Sequence, residues 1–235
     1  MKDVLVWDWP VRLFHWLTAL LFSGLVLSGK LDGNYLQHHI CMGYALSGVL
    51  LARILYGILG SKYARFVNFP LHPKHIFNYF LSIVTNKKPQ YLGHNPLGSI
   101  MVIALLGLLT VQTVSGLANS DEVFWFGPLY EWVDSEWQER LAAWHSLLPD
   151  VLLILVMLHI AAVFWYEIRF NEALSKAMVV GRKKRPSSSA EPVSEGQEPP
   201  KNEDDIISAT TPKLGLVISL TTALCWLLWL CSTVI

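Results

Sequence analysis

Residues 144–166 read WHSLLPDVLLILVMLHIAAVFWY, an apolar stretch in which His145 and His159 are fourteen positions apart. Fourteen residues of α-helix turn through about four turns and advance by about 21 Å, so both imidazoles leave one face at two levels. The hydrocarbon core of a bilayer is about 30 Å thick. Histidines inside a membrane helix are usually kept for a partner. The stretch therefore predicts a spanning helix that offers one ligand near each side of the membrane.

The composition indicates an integral membrane protein. Of 235 residues, 53% are hydrophobic, 15% are charged and ten are tryptophan, which is too apolar for a soluble domain of this size. Five apolar runs are long enough to cross a bilayer, and lipid requires them to be helical because it offers no partner to free backbone groups. These runs are residues 10–30, 39–60, 97–117, 142–167 and 214–235.

The runs predict an all-α integral membrane protein with a four-helix transmembrane bundle and a fifth, C-terminal transmembrane helix. The bundle is assigned to residues 1–182. Residues 183–212 are rich in Pro, Ser and Glu and poor in large apolar residues, which is typical of a disordered linker. The additional helix at 213–235 is expected to be an anchor or a docking helix outside the bundle.

Lys and Arg are distributed unequally along the chain. They cluster before span one, in the loop 61–96 and after span four, whereas only Lys30 and Arg140 belong to the opposite side. The positive-inside rule therefore predicts a multi-pass protein of the bacterial inner membrane, with a cytoplasmic N-terminus and a periplasmic C-terminus. The loop 118–141 then faces outward, and its acidic residues either form a docking surface or only keep the loop soluble.

Four histidines within the spans fall at two levels of the membrane. His15 and His159 lie toward the cytoplasm, whereas His39 and His145 lie toward the outside. Helical bundles build cofactor sites from inward-facing ligands on different helices, so we expect His15 to pair with His159 and His39 with His145. Two neutral imidazoles suit haem iron, and the abundant Trp, Phe and Gly can line a large apolar slot.

Helix packing and zinc binding account less well for these histidines than haem does. A single histidine in a membrane is often only hydrogen-bonded to a neighbouring helix, but four that match in level by pairs argue against that role. A structural zinc site needs four ligands at one level, and each level offers two. The three cysteines form neither CxxC nor CxxCH, so thiolate zinc and covalent haem attachment are not indicated. We therefore predict two non-covalent b-type haems.

Residues near the expected ligands add to this hypothesis. Arg53 follows His39 by fourteen residues, so it lies on nearly the same face about 21 Å further in, where it either pairs with a propionate of the cytoplasmic haem or snorkels to the interface. The interval of fourteen residues to Arg53 also favours His39 over His38 as the ligand. Pro149 removes a helical hydrogen bond just after His145 and predicts a kink there.

The remaining histidines lie between spans two and three. His72 and His75 are expected to be solvated, beside a segment at 74–84 whose amphipathic pattern predicts a helix on the membrane surface. His94 lies at the cytoplasmic mouth of span three, where it either makes surface hydrogen bonds or exchanges protons with a quinone.

Five stretches resemble the prokaryotic cytochrome b561 family, which includes the b-type cytochrome subunit of nickel–iron hydrogenases. They are WDWPVRLFHW at 7–16, HHICMGYALSGVLLARILYG at 38–57, YARFVNFP at 63–70 with YLGHNPLG at 91–98, and ERLAAWHSLLPDVLLILVMLHIAAV at 139–163. Together they cover about residues 6–182, which leaves the linker and span five outside the resemblance.

The resemblance implies a four-helix di-haem core with His15, His39, His145 and His159 as axial ligands. It also implies electron exchange with the quinone pool and often an outside partner, a hydrogenase or a c-type cytochrome. We therefore expect the cytochrome b subunit of a respiratory, quinone-linked oxidoreductase, which carries electrons across the membrane and binds no nucleic acid.

Two further functions remain open from the sequence. The first is a quinone oxidoreductase that acts on superoxide or another small oxidant. The second is a haem-dependent membrane anchor or sensor, with the linker and span five as its output.

We predict that the purified protein contains two b-type haems per chain, because each pair of histidines binds one. A pyridine haemochrome assay on protein of known concentration measures this ratio. One haem per chain, or none, would defeat the proposed pairing.

Overall fold

The structure, a computed structural model, describes residues 3–31, 34–85, 91–123, 125–184 and 211–232. Most of the linker predicted at 183–212 lies outside the described residues. The chain forms two compact units, each drawn from three segments. Unit 1 contains residues 1–13, 54–103 and 159–218, and unit 2 contains residues 14–53, 104–158 and 219–235.

Helices dominate the part of the chain that the structure describes. They are α1 (Trp9–Lys30), α2 (Leu36–Leu59), α3 (Pro73–Val84), α4 (Pro96–Leu117), α5 (Ser135–Phe170), α6 (Leu174–Val180) and α7 (Lys213–Ser232). The helices α1, α2, α4, α5 and α7 are each long and apolar enough to cross a membrane. The predicted all-α membrane fold is thereby confirmed, although α5 begins at Ser135 rather than at residue 142.

Local sequence explains where α1 and α4 begin. A proline occupies the first turn of both helices, where its missing N–H would have no helical partner. Before α1, the Asp8 carboxylate accepts a hydrogen bond from the Val11 N–H at 3.4 Å. Before α4, the Asn95 side-chain oxygen accepts from the Gly98 N–H at 2.7 Å. These caps satisfy backbone donors that the first helical turn leaves free.

The predicted surface helix forms as α3. His72 caps it, because its Nδ1 accepts a hydrogen bond from the Lys74 N–H at 3.2 Å. Phe77, Phe80 and Val84 are each more than half exposed, at 65%, 57% and 65%. Residues at this spacing share one face of a helix, so α3 presents an apolar face suited to the membrane interface.

Unit 1 ties the start of the chain to the segment that follows α6. The strands β1 (Asp3–Leu5) and β2 (Arg182–Lys184) pair antiparallel. Between β1 and α1, the buried Asp8 accepts a hydrogen bond from the hydroxyl of Tyr56 in α2. A buried carboxylate is retained where such donors satisfy it, and this contact holds the first turn of α1 against α2.

Unit 2 contains an apolar core shared by α2, α4 and α5. Its buried members are Leu46, Leu50, Leu109 and Leu152. The C-terminal half of α7 joins the same unit, where the Trp226 indole N–H donates to the Ser47 hydroxyl at 2.9 Å. Polar contacts of this kind hold helices together in a membrane. Apolar side chains gain little from packing there, because the surrounding lipid is apolar as well.

Glycines allow α7 to approach α2 closely in both units. In unit 1, a Cβ on Gly215 would clash with the main-chain carbonyl oxygen of Leu59. In unit 2, a Cβ on Gly48 would lie 2.9 Å from the side chain of Leu227. Span five, expected as an additional helix beside the four-helix bundle, therefore packs on α2.

We predict that Gly215→Ala lowers the thermal stability of the purified protein. The new methyl group meets fixed backbone, and overpacking of this kind costs about 1–3 kcal/mol. For a chain of this length the melting temperature should fall by about 2–4 °C per kcal/mol, as measured by circular dichroism in detergent.

Gly107→Ala in α4 is the matched control, because a Cβ there meets nothing within 4 Å. This variant should melt at or above the wild-type temperature, since alanine favours helix over glycine. Equal melting temperatures for the two variants would contradict the packing of α7 on α2.

Candidate cofactor site

His39 of α2 and His145 of α5 come together inside unit 2. Their ring centres are 6.2 Å apart, and the ring planes are nearly perpendicular, at 86°. Both residues are half-buried, whereas the adjacent His38 is exposed. These are the two residues expected to bind the outer cofactor.

The separation of the two rings suits a metal ion between them. A ring nitrogen binds a transition metal at about 2 Å and the ring centre lies about 1 Å beyond it, so two imidazoles on opposite sides of one ion have centres about 6 Å apart. The observed 6.2 Å agrees with that value. The separation of the rings is therefore compatible with one ion bound between them.

Hydrogen bonds hold both rings through the same nitrogen. His39 Nδ1 lies 3.0 Å from the Ser28 hydroxyl oxygen, and His145 Nδ1 lies 3.1 Å from the main-chain carbonyl oxygen of Gln112. A carbonyl oxygen can only accept, so this contact is a hydrogen bond in the tautomer with the proton on Nδ1 of His145, which leaves the lone pair on Nε2. Metal-binding histidines are typically oriented by such a bond on the second nitrogen. In that tautomer the Nε2 atom of His145 is available to a metal ion.

A cavity of about 470 Å³ surrounds the two histidines. This volume lies within the roughly 300–1,000 Å³ that is common for cofactor and ligand sites. The walls are mostly apolar and come from α1, α2, α4 and α5. One end is lined by the segment after α4, including Asp121 and Trp125. Such an enclosure can hold a flat apolar group with polar substituents at one edge.

Glycines keep the cavity walls bare next to both histidines. A Cβ on Gly116 of α4 would lie 2.7 Å from Cε1 of His145, and a Cβ on Gly29 of α1 would lie 3.4 Å from Cε1 of His39. Gly43 also lines the cavity, and a Cβ there would meet no atom within 4 Å. Side chains at these positions would fill the space beside the rings.

The set of donors fits haem better than zinc. Among the residues that the structure describes, no three His, Cys, Asp or Glu side chains gather to hold a metal. Two imidazoles leave four positions of an octahedral iron to another ligand, and a porphyrin supplies four nitrogens. A protein zinc site would need further side chains at the same place.

The other expected site residues fall in different parts of the fold. His15 in α1 and Arg53 in α2 belong to unit 2, and His159 in α5 belongs to unit 1. Arg53 is buried, with 7% of its surface exposed. The pairing of His15 with His159 and the contact of Arg53 with a propionate stay predictions.

His94 belongs to an aromatic cluster in unit 1. Its ring centre lies 4.5 Å from that of Trp7 and 4.9 Å from that of Phe69. The residue is half-buried. It therefore packs between two aromatic side chains, and a part in quinone chemistry stays a prediction.

Sequence reasoning missed the polar residues that hold the two rings. Ser28 and Gln112 contact His39 and His145, and the Ser115 hydroxyl oxygen lies 3.3 Å from Nδ1 of His145. Gln112 carries the clearest signal, because it is the single amide in α4. Polar side chains in a spanning helix usually mark a specific contact.

The sequence matches one protein family and several known proteins. Residues 6–181 match a family model described as prokaryotic cytochrome b561. A protein of Azotobacter vinelandii is 28% identical over 76% of this chain and 87% of its own length. Proteins of Bradyrhizobium diazoefficiens and Cupriavidus necator are 26% and 23% identical, over 77% of this chain and 85% and 87% of their own lengths. Each is named as a probable Ni/Fe-hydrogenase B-type cytochrome subunit.

We predict that His39→Ala and His145→Ala remove the same haem from the purified protein, because the two rings would bind one iron. Low-temperature absorption and electron paramagnetic resonance spectra resolve haem components. His159→Ala should remove the other component.

His38→Ala is the control for a neighbouring histidine outside the site, and it should retain both components. Loss of different components in His39→Ala and His145→Ala would contradict a shared iron.

Proposed function

The chain belongs to the prokaryotic cytochrome b561 family, and we propose that this b-type cytochrome relays electrons between membrane quinone and a periplasmic redox protein through two haems. The observation that carries the proposal is the His39–His145 pair, whose rings are 6.2 Å apart in an apolar cavity. Helix packing alone does not require two facing imidazoles. The pair suits an iron porphyrin that exchanges electrons inside the membrane.

When bound, haem supplies reversible one-electron chemistry. The chain holds it: His39 and His145 would ligate the outer haem through Nε2, while Ser28 and Gln112 orient the rings through Nδ1. The cavity walls are mostly apolar, and the polarity around a haem influences how easily its iron is reduced.

A second haem is supported by the spacing of ligands within α5. His159 follows His145 by fourteen residues in one continuous helix, so it lies on nearly the same face about 21 Å away. His15 is the proposed ligand from α1, and Arg53 the proposed partner for a propionate. The two haems would divide the width of the membrane into steps short enough for electron transfer.

The distribution of charge supports one orientation of this path. Lys and Arg cluster in the loop 61–96 and after span four, which favours the cytoplasm for those segments and the periplasm for the loop 118–141. Asp121 and Trp125 of that loop line one end of the cavity around His39 and His145. The outer haem would therefore lie next to the surface that meets a periplasmic partner.

The names of the relatives favour a hydrogenase as that partner, since each is called a hydrogenase cytochrome subunit. Electrons would then enter at the outer haem and leave from the inner haem to quinone. A c-type cytochrome is the alternative partner, and it would exchange electrons at the same surface.

The test uses the purified protein in liposomes, with a short-chain quinol or quinone on one side and a nickel–iron hydrogenase or a soluble c-type cytochrome on the other. We predict that quinol reduces both haems of the wild type. His145→Ala should keep an inner haem that quinol reduces and should lose electron exchange with the outer protein, whereas His38→Ala should behave as the wild type.

Haems that quinol cannot reduce would contradict the proposal and favour an anchor or sensor. Undiminished electron exchange with the outer protein in His145→Ala would also contradict it, because the electrons would then bypass the outer site.

A further inference from the structure

Pro149 leaves a gap in the hydrogen bonding of α5. In an α-helix the carbonyl oxygen of each residue accepts from the N–H four positions later. Proline has no N–H, so the carbonyl of His145 loses its helical donor. In the hydrocarbon region no water can replace that donor, and an unsatisfied carbonyl there is costly.

Gln112 of α4 fills this gap. Its side-chain Nε2 donates to the main-chain oxygen of His145 at 3.0 Å and lies 3.1 Å from Nδ1 of the same residue. The main-chain oxygen of Gln112 lies 3.1 Å from that Nδ1 as well. One residue therefore contacts both the backbone and the ring of His145.

The surroundings of Gln112 make this contact specific. The Ser115 hydroxyl donates to the Gln112 carbonyl oxygen at 2.8 Å and lies 3.3 Å from His145 Nδ1. One residue further, Gly116 leaves room for the ring, since a Cβ there would lie 2.7 Å from Cε1 of His145. Residues 112–116, about one turn of α4, therefore lie along one side of the His145 imidazole.

We propose that Gln112 is a positioning residue that replaces the hydrogen bond removed by Pro149 and thereby fixes the orientation of His145 as an axial ligand. This inference rests on the proposed function, because it assumes an outer haem on His39 and His145. Without the Gln112 amide, the His145 carbonyl must turn toward another donor. The turn of α5 that carries the imidazole then loses its hydrogen bond to α4 and is no longer fixed against that helix.

The role predicts a specific effect on one haem. Residues that orient a metal-binding histidine typically change metal affinity by about 10–100-fold when they are substituted. Gln112→Met keeps the length of the side chain and removes its donor. This variant should lose the outer haem about 10–100-fold faster in a haem-transfer assay, and the resonance of that haem should shift while that of the inner haem does not.

The matched control is Thr110→Val, also in α4. The Thr110 hydroxyl donates to the Leu106 carbonyl of its own helix, so the variant removes a polar group of α4 without touching His145. It should retain the outer haem at the wild-type rate and with the wild-type resonance.

A double substitution tests the link to Pro149. Pro149→Ala restores an N–H four residues after His145, so the carbonyl regains a helical donor. In that background Gln112→Met should accelerate loss of the outer haem only a few-fold, far less than in the wild type. Should Gln112→Met alone fail to accumulate, recovery of the double variant supports the proposal. Its failure while Pro149→Ala accumulates overturns the proposal.

Wild-type retention and resonance in Gln112→Met would overturn the proposal and leave the proposed function intact. An equal effect of Gln112→Met in the wild type and in Pro149→Ala would also overturn it, because Gln112 would then not act through the carbonyl of His145. A wild-type protein without an outer haem would instead defeat the proposed function itself.

Discussion

The candidate cofactor site depends on the imidazoles of His39 and His145, whose ring centres are 6.2 Å apart in the cavity of unit 2. Each polar ring is enclosed by apolar helices, which is costly unless its nitrogens have partners. Hydrogen bonds to Ser28 and Gln112 supply the partners for Nδ1. An iron ion between the rings would satisfy the second nitrogen of each ring.

The same requirement explains why α5 tolerates a proline inside a membrane span. A helix normally satisfies its own backbone in lipid, and Pro149 removes one donor from that series. The Gln112 amide from α4 supplies a donor at 3.0 Å from the main-chain carbonyl oxygen of His145. The hydrogen bond missing from α5 is thus replaced by a hydrogen bond from α4, next to the His145 side chain.

Sequence reasoning found the features that follow from local geometry and missed those that depend on helix rotation. Apolar length located the five spans, and His145 and His159, fourteen residues apart, lie in the single helix α5. The start of α5 at Ser135 was missed, because polar residues outside the lipid continue the helix beyond its apolar run. The contacts of Gln112 and of Gly215 were missed as well, since each depends on which side of one helix meets another.

The most direct test of the paired ligands is a cryo-electron microscopy map of the purified, haem-containing protein at side-chain resolution. The account predicts flat porphyrin density between His39 and His145, with Nε2 of both rings on one iron and Nδ1 of His145 on the Gln112 carbonyl. A map in which the two rings contact only protein atoms, with no iron between them, would contradict it.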